Sequence, residues 1–166
     1  REAEAAQRGG ADADSAAAPP APASAAPAAA AVEAPVSLPP GVDPHAVASG
    51  GNADTLSQLL DAHPAAVRAR KEGGMFDSWT ALHSGAYKGQ LEAVRLLVER
   101  GAAVDALTKK EDTALRFAAS KGHAAVVAFL LEAKANPAAV NLSGVTPLES
   151  ARLAKSLETV QLLEGK

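Results

Sequence analysis

Four histidines, a serine beside one of them and a cluster of lysines are the side chains in this sequence best suited to chemistry. His45, His63, His83 and His123 are possible nitrogen ligands for a metal. No two have the spacing of an H-x-x-x-H helix pair, and no carboxylate is placed to complete a ligand set. The chain has no cysteine, which excludes thiolate sites and disulfide staples. Ser84 directly follows His83, but neighbours on a helix point apart, so the two do not read as a nucleophile and its base. There is no G-x-S-x-G elbow, since Ser143-Gly144 lacks the flanking pattern, and neither a P-loop nor a G-x-G-x-x-G is present. The expectation is therefore no catalysis, no metal, no cofactor and no small-molecule substrate. The basic group Lys109, Lys110, Arg116 and Lys121 would suit an acidic partner or RNA phosphates. Asp105, Glu111 and Asp112 lie among these residues and reduce their field, so a solvated, charge-mixed surface is expected there and nucleic-acid binding is not.

Composition separates the chain into two parts. Residues 1–40 hold 17 alanines and 7 prolines and no aromatic residue. Such a segment buries too little apolar area to offset the entropy of ordering it, and its prolines interrupt any helix. We expect 1–41 to be a disordered tail, with Arg1–Gln7 transiently helical. The five aromatics, Phe76, Trp79, Tyr87, Phe117 and Phe129, all come later. Residues 1–44 carry two basic against six acidic residues, whereas 45–166 carry fourteen against thirteen. That near-neutral balance gives no reason to expect nonspecific DNA binding. No apolar run approaches the roughly 18–20 residues that span a bilayer. The start resembles neither a signal peptide nor a transit peptide, because Glu2, Glu4, Asp12 and Asp14 come early. The beginning at Arg1 and the end at Lys166 suggest a fragment or a processed form.

The dominant signal is an internal repeat. Thr80-Ala81-Leu82-His83 recurs as Thr113-Ala114-Leu115-Arg116 and as Thr146-Pro147-Leu148-Glu149, at a constant spacing of 33. Gly85, Ala118 and Ala151 keep the register, as do Val94, Val127 and Val160. Gly89 matches Gly122, while Lys155 takes that place in the last unit. Each Thr can cap a helix, and Pro147 follows at a position where its missing N–H is harmless. A short helix is expected over Thr80–Lys88, then a reversal at Gly89. A second helix is expected over Leu91–Arg100, with Leu91, Val94, Leu97 and Val98 on one face and Gly101 as its C-cap. One such pair cannot bury its own apolar face, so copies must stack.

Thr80–Asp105, TALHSGAYKGQLEAVRLLVERGAAVD, resembles an ankyrin repeat, whose period is 33 and whose opening is T-P-L-H-x-A. Thr113–Ala138 matches nearly as well, departing at Arg116, Lys134 and Pro137. Upstream, Gly51–Leu60 resembles a second ankyrin helix with its preceding turn, and His63–Arg70 the exit of a capping unit. About four extra residues fall in the loop Glu72–Ser78. The resemblance implies an all-α solenoid of helix-turn-helix units with β-turn fingers over 42–166, in units of about 42–78, 79–111, 112–144 and 145–166. Lys155 and Ser156 would suit the water-facing side of an end repeat.

The resemblance also implies where a partner would dock, namely the turn tips and the exposed side of each first helix on a concave face. Those columns hold Phe76, Asp77 and Trp79, then Lys109, Lys110 and Asp112, then Leu142, Ser143 and Val145. On the helices they hold Ser84, Tyr87 and Lys88, then Phe117, Ser120 and Lys121, then Ser150 and Leu153. Trp79, Tyr87 and Phe117 would form an exposed aromatic strip of the kind enriched in interfaces. The competing reading has Trp79 and Phe76 folded back over the lengthened loop. The framework expected from the repeat motif is Thr80, Leu82, His83, Gly89, Gly101, Thr113, Leu115, Gly122, Thr146, Pro147 and Leu148, with His83 hydrogen-bonded inside the turn region. The function expected is recognition of another protein by a monomeric intracellular module, cytoplasmic or nuclear, acting as adaptor, scaffold or inhibitor. The alternatives are a regulatory segment of a larger enzyme or channel and, more weakly, a nucleic-acid contact through the lysines.

Overall fold

The computed structural model describes residues 40–72 and 74–165. The tail expected over 1–41 lies outside them except for its last two residues. The described residues form paired helices: α1 (Pro44–Gly50) with α2 (Ala53–Ala62), α3 (Ala81–Lys88) with α4 (Leu91–Glu99), α5 (Ala114–Lys121) with α6 (Ala124–Glu132), and α7 (Pro147–Leu153) with α8 (Leu157–Glu164). Short 3-10 turns occupy Pro64–Arg68 and Gly74–Phe76. Among the described residues the only β pairing is a single bridge between Arg70 and Thr80. Thr80 caps α3 as expected, whereas the C-cap of α4 is Arg100 rather than Gly101. Thr80 is extended at φ −98°, ψ 167°, and so starts α3 without belonging to it. The repeat motif predicts no helix before Gly51, yet α1 forms there. Asp43 caps it, its carboxylate accepting from the N–H of His45 at 2.9 Å and of Ala46 at 3.2 Å, and Pro44 follows at the first helical position.

The pairs stack into two rows. The inner row is α1, α3, α5 and α7, and the outer row is α2, α4, α6 and α8. Small residues let the inner helices approach closely. Ala48, Ala118 and Ala151 are fully buried, and a Cβ on Gly85 would sit 3.2 Å from Val94 Cγ2. Leu56, Leu82, Val94, Leu97, Leu115, Val127 and Leu130 fill the space between the rows without exposed surface. At the far end the pattern changes. The positions of buried Ala119 and Leu131 recur as Arg152 and Glu164, which pair at 2.5 Å and are about half exposed. A polar pair therefore stands where inner units have apolar contacts. Ser156, expected on a water-facing side, lies between units instead.

The backbone repeats more faithfully than the sequence. Gly89, Gly122 and Lys155 share positive φ, at 76°, 75° and 58°, and so do Gly101 and Lys134, at 90° and 72°. Each turn after an inner helix is covered by the residue that starts the next unit's outer helix. His123 lies over Gly89, where a Cβ would be 2.6 Å from the ring, and Ser156 lies over Gly122, with Oγ 3.1 Å from that point. The His123 Nε2–H also points to the Tyr87 carbonyl oxygen at 3.2 Å.

His83 ties an inner helix to the loop ahead of it. Its ring is fully buried. Nδ1 accepts from the Thr80 N–H at 3.0 Å, and Nε2–H points to the carbonyl oxygens of Ala106, at 3.0 Å, and Asp112, at 3.2 Å. These partners require the neutral Nε2–H tautomer. Burial accordingly pushes the His83 pKa down to about 4, and burial also lowers that of His45. Hydrogen bonds from Thr146 hold the Glu149 carboxyl below its usual range.

Three outcomes are expected. Gly122→Val should lower the urea midpoint by about 2 kcal/mol equivalent, since a β-branched residue must adopt positive φ and press on Ser156; an unchanged midpoint would contradict this geometry. Lys155→Gly, which relieves a left-handed lysine, should raise it by about 0.5–1 kcal/mol. Stability should be full above pH 6.5, the ordinary histidine value, and fall as pH drops toward 4, because the unfolded chain takes up the protons that buried His83 refuses. The His83 contribution to that fall is on the order of 3 kcal/mol, and urea titrations across this window measure it.

Candidate interaction face

Three loops project between units, and each is held by its own hydrogen bonds. In the first, the Lys71 N–H donates to Trp79 O at 2.7 Å and the Ser78 N–H to Lys71 O at 2.8 Å. In the second, the Thr108 N–H donates to Asp112 O at 3.1 Å, and Thr108 Oγ1 accepts from the Asp112 N–H at 3.1 Å. In the third, Asn141 Oδ1 accepts from the N–H groups of Ser143, at 2.9 Å, and Val145, at 3.0 Å. The loops are also tied to one another. Lys109 Nζ meets Asp77 Oδ2 at 3.2 Å, the Leu142 N–H donates to Lys110 O at 3.1 Å, and Asn141 Nδ2 donates to Asp112 Oδ1 at 2.7 Å. Little ordering remains to be done if this face docks against another surface.

The second unit departs from the motif at Arg116, with a structural consequence. A guanidinium has no acceptor, so it cannot take the Thr113 N–H as His83 takes that of Thr80. Arg116 turns instead to Asp112, with Nε 2.6 Å from Oδ1, a charge contact rather than a directed hydrogen bond, and reaches Ser150 Oγ at 3.4 Å. Asp112, expected at a docking surface, is buried and already shared between Arg116 and Asn141.

The aromatic residues also depart from expectation. Trp79 and Phe117 are only 8% and 7% exposed and do not form an exposed strip. Trp79 packs against Phe76, Tyr87 and Phe117, with ring centroids 4.7, 5.5 and 4.4 Å away. The lengthened loop makes this possible, because its 3-10 turn brings Phe76 back onto Trp79. Ser84 is also buried, its Oγ 3.3 Å from His45 Nδ1 in the contact between α1 and α3, and Ser150 is buried under Arg116.

The rest of the expected set reaches the surface together. Lys88, Lys109, Lys110 and Lys121 are exposed, Asp77, Tyr87 and Ser120 are half-buried, and Phe76 is 39% exposed. Lys121 Nζ lies 4.5 Å from the Tyr87 ring centroid and Lys88 Nζ lies 6.0 Å from it. An open groove of about 480 Å³ continues from there, lined by Lys110, Arg116, Ser120, Asn141, Val145 and Leu153. Sequence reasoning missed Lys71, whose ammonium lies 5.9 Å from the Phe76 ring, because it precedes the repeat columns. Within the group Lys109, Lys110, Arg116 and Lys121, the expected reduction of charge by Asp112 takes the form of its contact with Arg116. Among the described residues no three His, Asp or Glu side chains gather closely enough to hold a metal ion, and no helix is long and apolar enough to cross a membrane.

A family profile described as ankyrin repeats in many copies matches residues 82–131. The chain is 40% identical over 125 residues to a transient receptor potential cation channel subfamily A member 1 homolog of Caenorhabditis elegans, covering 74% of this chain and 10% of that protein. It is 38% identical over 86 residues to the probable E3 ubiquitin-protein ligase XBOS31 of Oryza sativa subsp. japonica, covering 52% of this chain and 19% of the ligase. It is 33% identical over 104 residues to human ankyrin repeat and SOCS box protein 3, covering 61% and 19%. The chain thus spans a fifth or less of the length of these relatives. Their shared repeat is also what the two helix rows, the period of 33 and the threonine-led inner helices express, and the chain belongs to the ankyrin-repeat family.

Proposed function

We propose that the finger face binds another protein noncovalently and that the chain works as a rigid recognition module without catalysis. Ankyrin repeats are in general protein-interaction modules. The observation that carries the reading is the cross-linked set of loops beside an exposed, side-chain-rich inner row: the framework is satisfied internally while Tyr87, Lys88, Ser120 and Lys121 remain accessible. Ankyrin-type recognition then costs little conformational entropy, since the contact residues already sit on ordered backbone. The absence of catalysis is supported by how the chemical groups are used. Both nitrogens of His83 are engaged in the framework, and the contact between Ser84 and His45 is buried between helices, away from any substrate. A monomeric intracellular module fits the same reading.

A second reading keeps the same face but places it in a larger protein. It is favoured by relatives whose names describe a channel and ubiquitin ligases and of which this chain spans only a small share. In that setting the face would hold a substrate or a regulator for a neighbouring domain.

The experiment is site-specific photocrosslinking of the full chain in cell extract, with the reactive residue at Ser120 on the finger face or at Glu132 on α6. Protein adducts from Ser120 and none from Glu132 are expected; the reverse pattern would refute the reading. Tyr87→Ala with Lys121→Ala should leave far-UV helicity intact and weaken capture of the crosslinked partner about fivefold or more. Trp79 is unsuited to this test, because removing a buried indole should itself cost about 3–5 kcal/mol of stability.

A further inference from the structure

The two helix rows divide the charge of the repeats between them. The inner helices carry Lys88, Arg116, Lys121 and Arg152 against one carboxylate, Glu149. The outer helices carry seven carboxylates against Arg95; Asp61 is matched by Arg100 at the end of α4 and Glu164 by Arg152, which leaves Asp54, Glu92, Glu99, Glu132 and Glu158. The near-neutral total for residues 45–166 conceals this separation.

Two of the inner cations are already matched, Arg116 by Asp112 and Arg152 by Glu164. Lys88 and Lys121 remain, and among the described residues neither has a carboxylate partner. Both ammonium groups lie near the Tyr87 ring, 6.0 and 4.5 Å from its centroid, so one half-buried ring is flanked by two positive charges. On the neighbouring loop Lys110 is also exposed, with its ammonium outside the ion pairs that join the loops. The same columns turn apolar one unit later. Where the second and third units have Tyr87 and Ser120, the fourth has Leu153, 78% exposed, and the third loop presents Leu142, 67% exposed. The groove lined by Lys110, Ser120, Val145 and Leu153 connects the two regions.

We propose that the finger face takes an acidic segment of a partner protein, with carboxylates over Lys88, Lys121 and Lys110 and adjoining apolar side chains against Leu142 and Leu153. This rests on the reading of that face as protein-binding and adds the chemistry of the partner. The acidic outer row repels such a segment while the inner row attracts it, so the field orients the encounter before contact. A nucleic acid fits less well. Leu142 and Leu153, both exposed, offer nothing to phosphates but suit the apolar side chains of a peptide.

Fluorescence anisotropy of the full chain tests this with a labelled peptide, a run of about six glutamates followed by Leu-Ser-Leu. Saturable binding is expected, weakening about tenfold as NaCl rises from about 50 to about 300 mM. Lys88→Glu with Lys121→Glu should weaken it about fivefold or more, and Leu153→Ser about threefold, while Glu92→Gln with Glu132→Gln on the outer row changes it by less than about twofold. Circular dichroism checks that each variant keeps its helices. No binding at about 1 mM peptide, or binding indifferent to the Lys88 and Lys121 reversals, overturns the proposal. So does tighter binding of single-stranded DNA of equal charge, which would assign the face to nucleic acid. A partner crosslinked at Ser120 whose capture survives the lysine reversals would refute the acidic chemistry and leave the docking face standing. Crosslinks confined to the outer row would refute both.

Discussion

Helices of seven to ten residues do not hold themselves in water, and every other feature of this chain follows from how they are forced to hold one another. The constraint is close approach along the inner row. Ala48, Gly85, Ala118 and Ala151 leave so little bulk between neighbouring helices that leucines and valines from both rows can close the core. The positive-φ turn after each inner helix serves the same contact. It reverses the chain and leaves a flat site for the next unit's His123 or Ser156. A lysine keeps that backbone conformation at Lys155, in the last unit, so the reversal forms there against the residue's own preference.

Stacking also turns loops into a surface. A loop of ten residues between helices is ordinarily a mobile connection. Here His83 reaches from α3 to two carbonyl oxygens of the loop ahead, and Arg116, Asp112 and Asn141 link α5 to two loops. The polar groups best suited to chemistry are therefore consumed as joinery. Both ring nitrogens of His83, the Ser84 hydroxyl and the Asp112 carboxylate have internal partners. On the proposed docking face, Lys88, Lys110, Lys121, Leu142 and Leu153 remain exposed.

Much of the architecture was legible in the sequence because the repeat states it several times. The threonine caps, Pro147, Gly89, Gly122 and the leucine columns each answer to local rules, and the structure forms helices at those positions. α1 was not legible as a repeat, since Asp43-Pro44 is a cap without a matching column. The contact set was only partly legible. A column assignment says which residues share a position in the unit, but not whether a neighbour covers them. Trp79 and Phe117 occupy docking columns and are buried by one another, and the extra residues before Ser78 supply Phe76 to finish the cluster.

By itself, the sequence determined the period, the helix pairs, their caps and the need to stack, because those depend on interactions within a few residues or on burial that recurs at a constant interval. Tertiary structure alone decided which charges are spent and which are free. Lys88 and Lys121 lie 33 positions apart and meet at one tyrosine ring, whereas Arg116, five residues from Lys121, is neutralised by Asp112. A total charge near zero has no direction until the helices are placed in rows. Once they are, the same residues make one face basic and the other acidic.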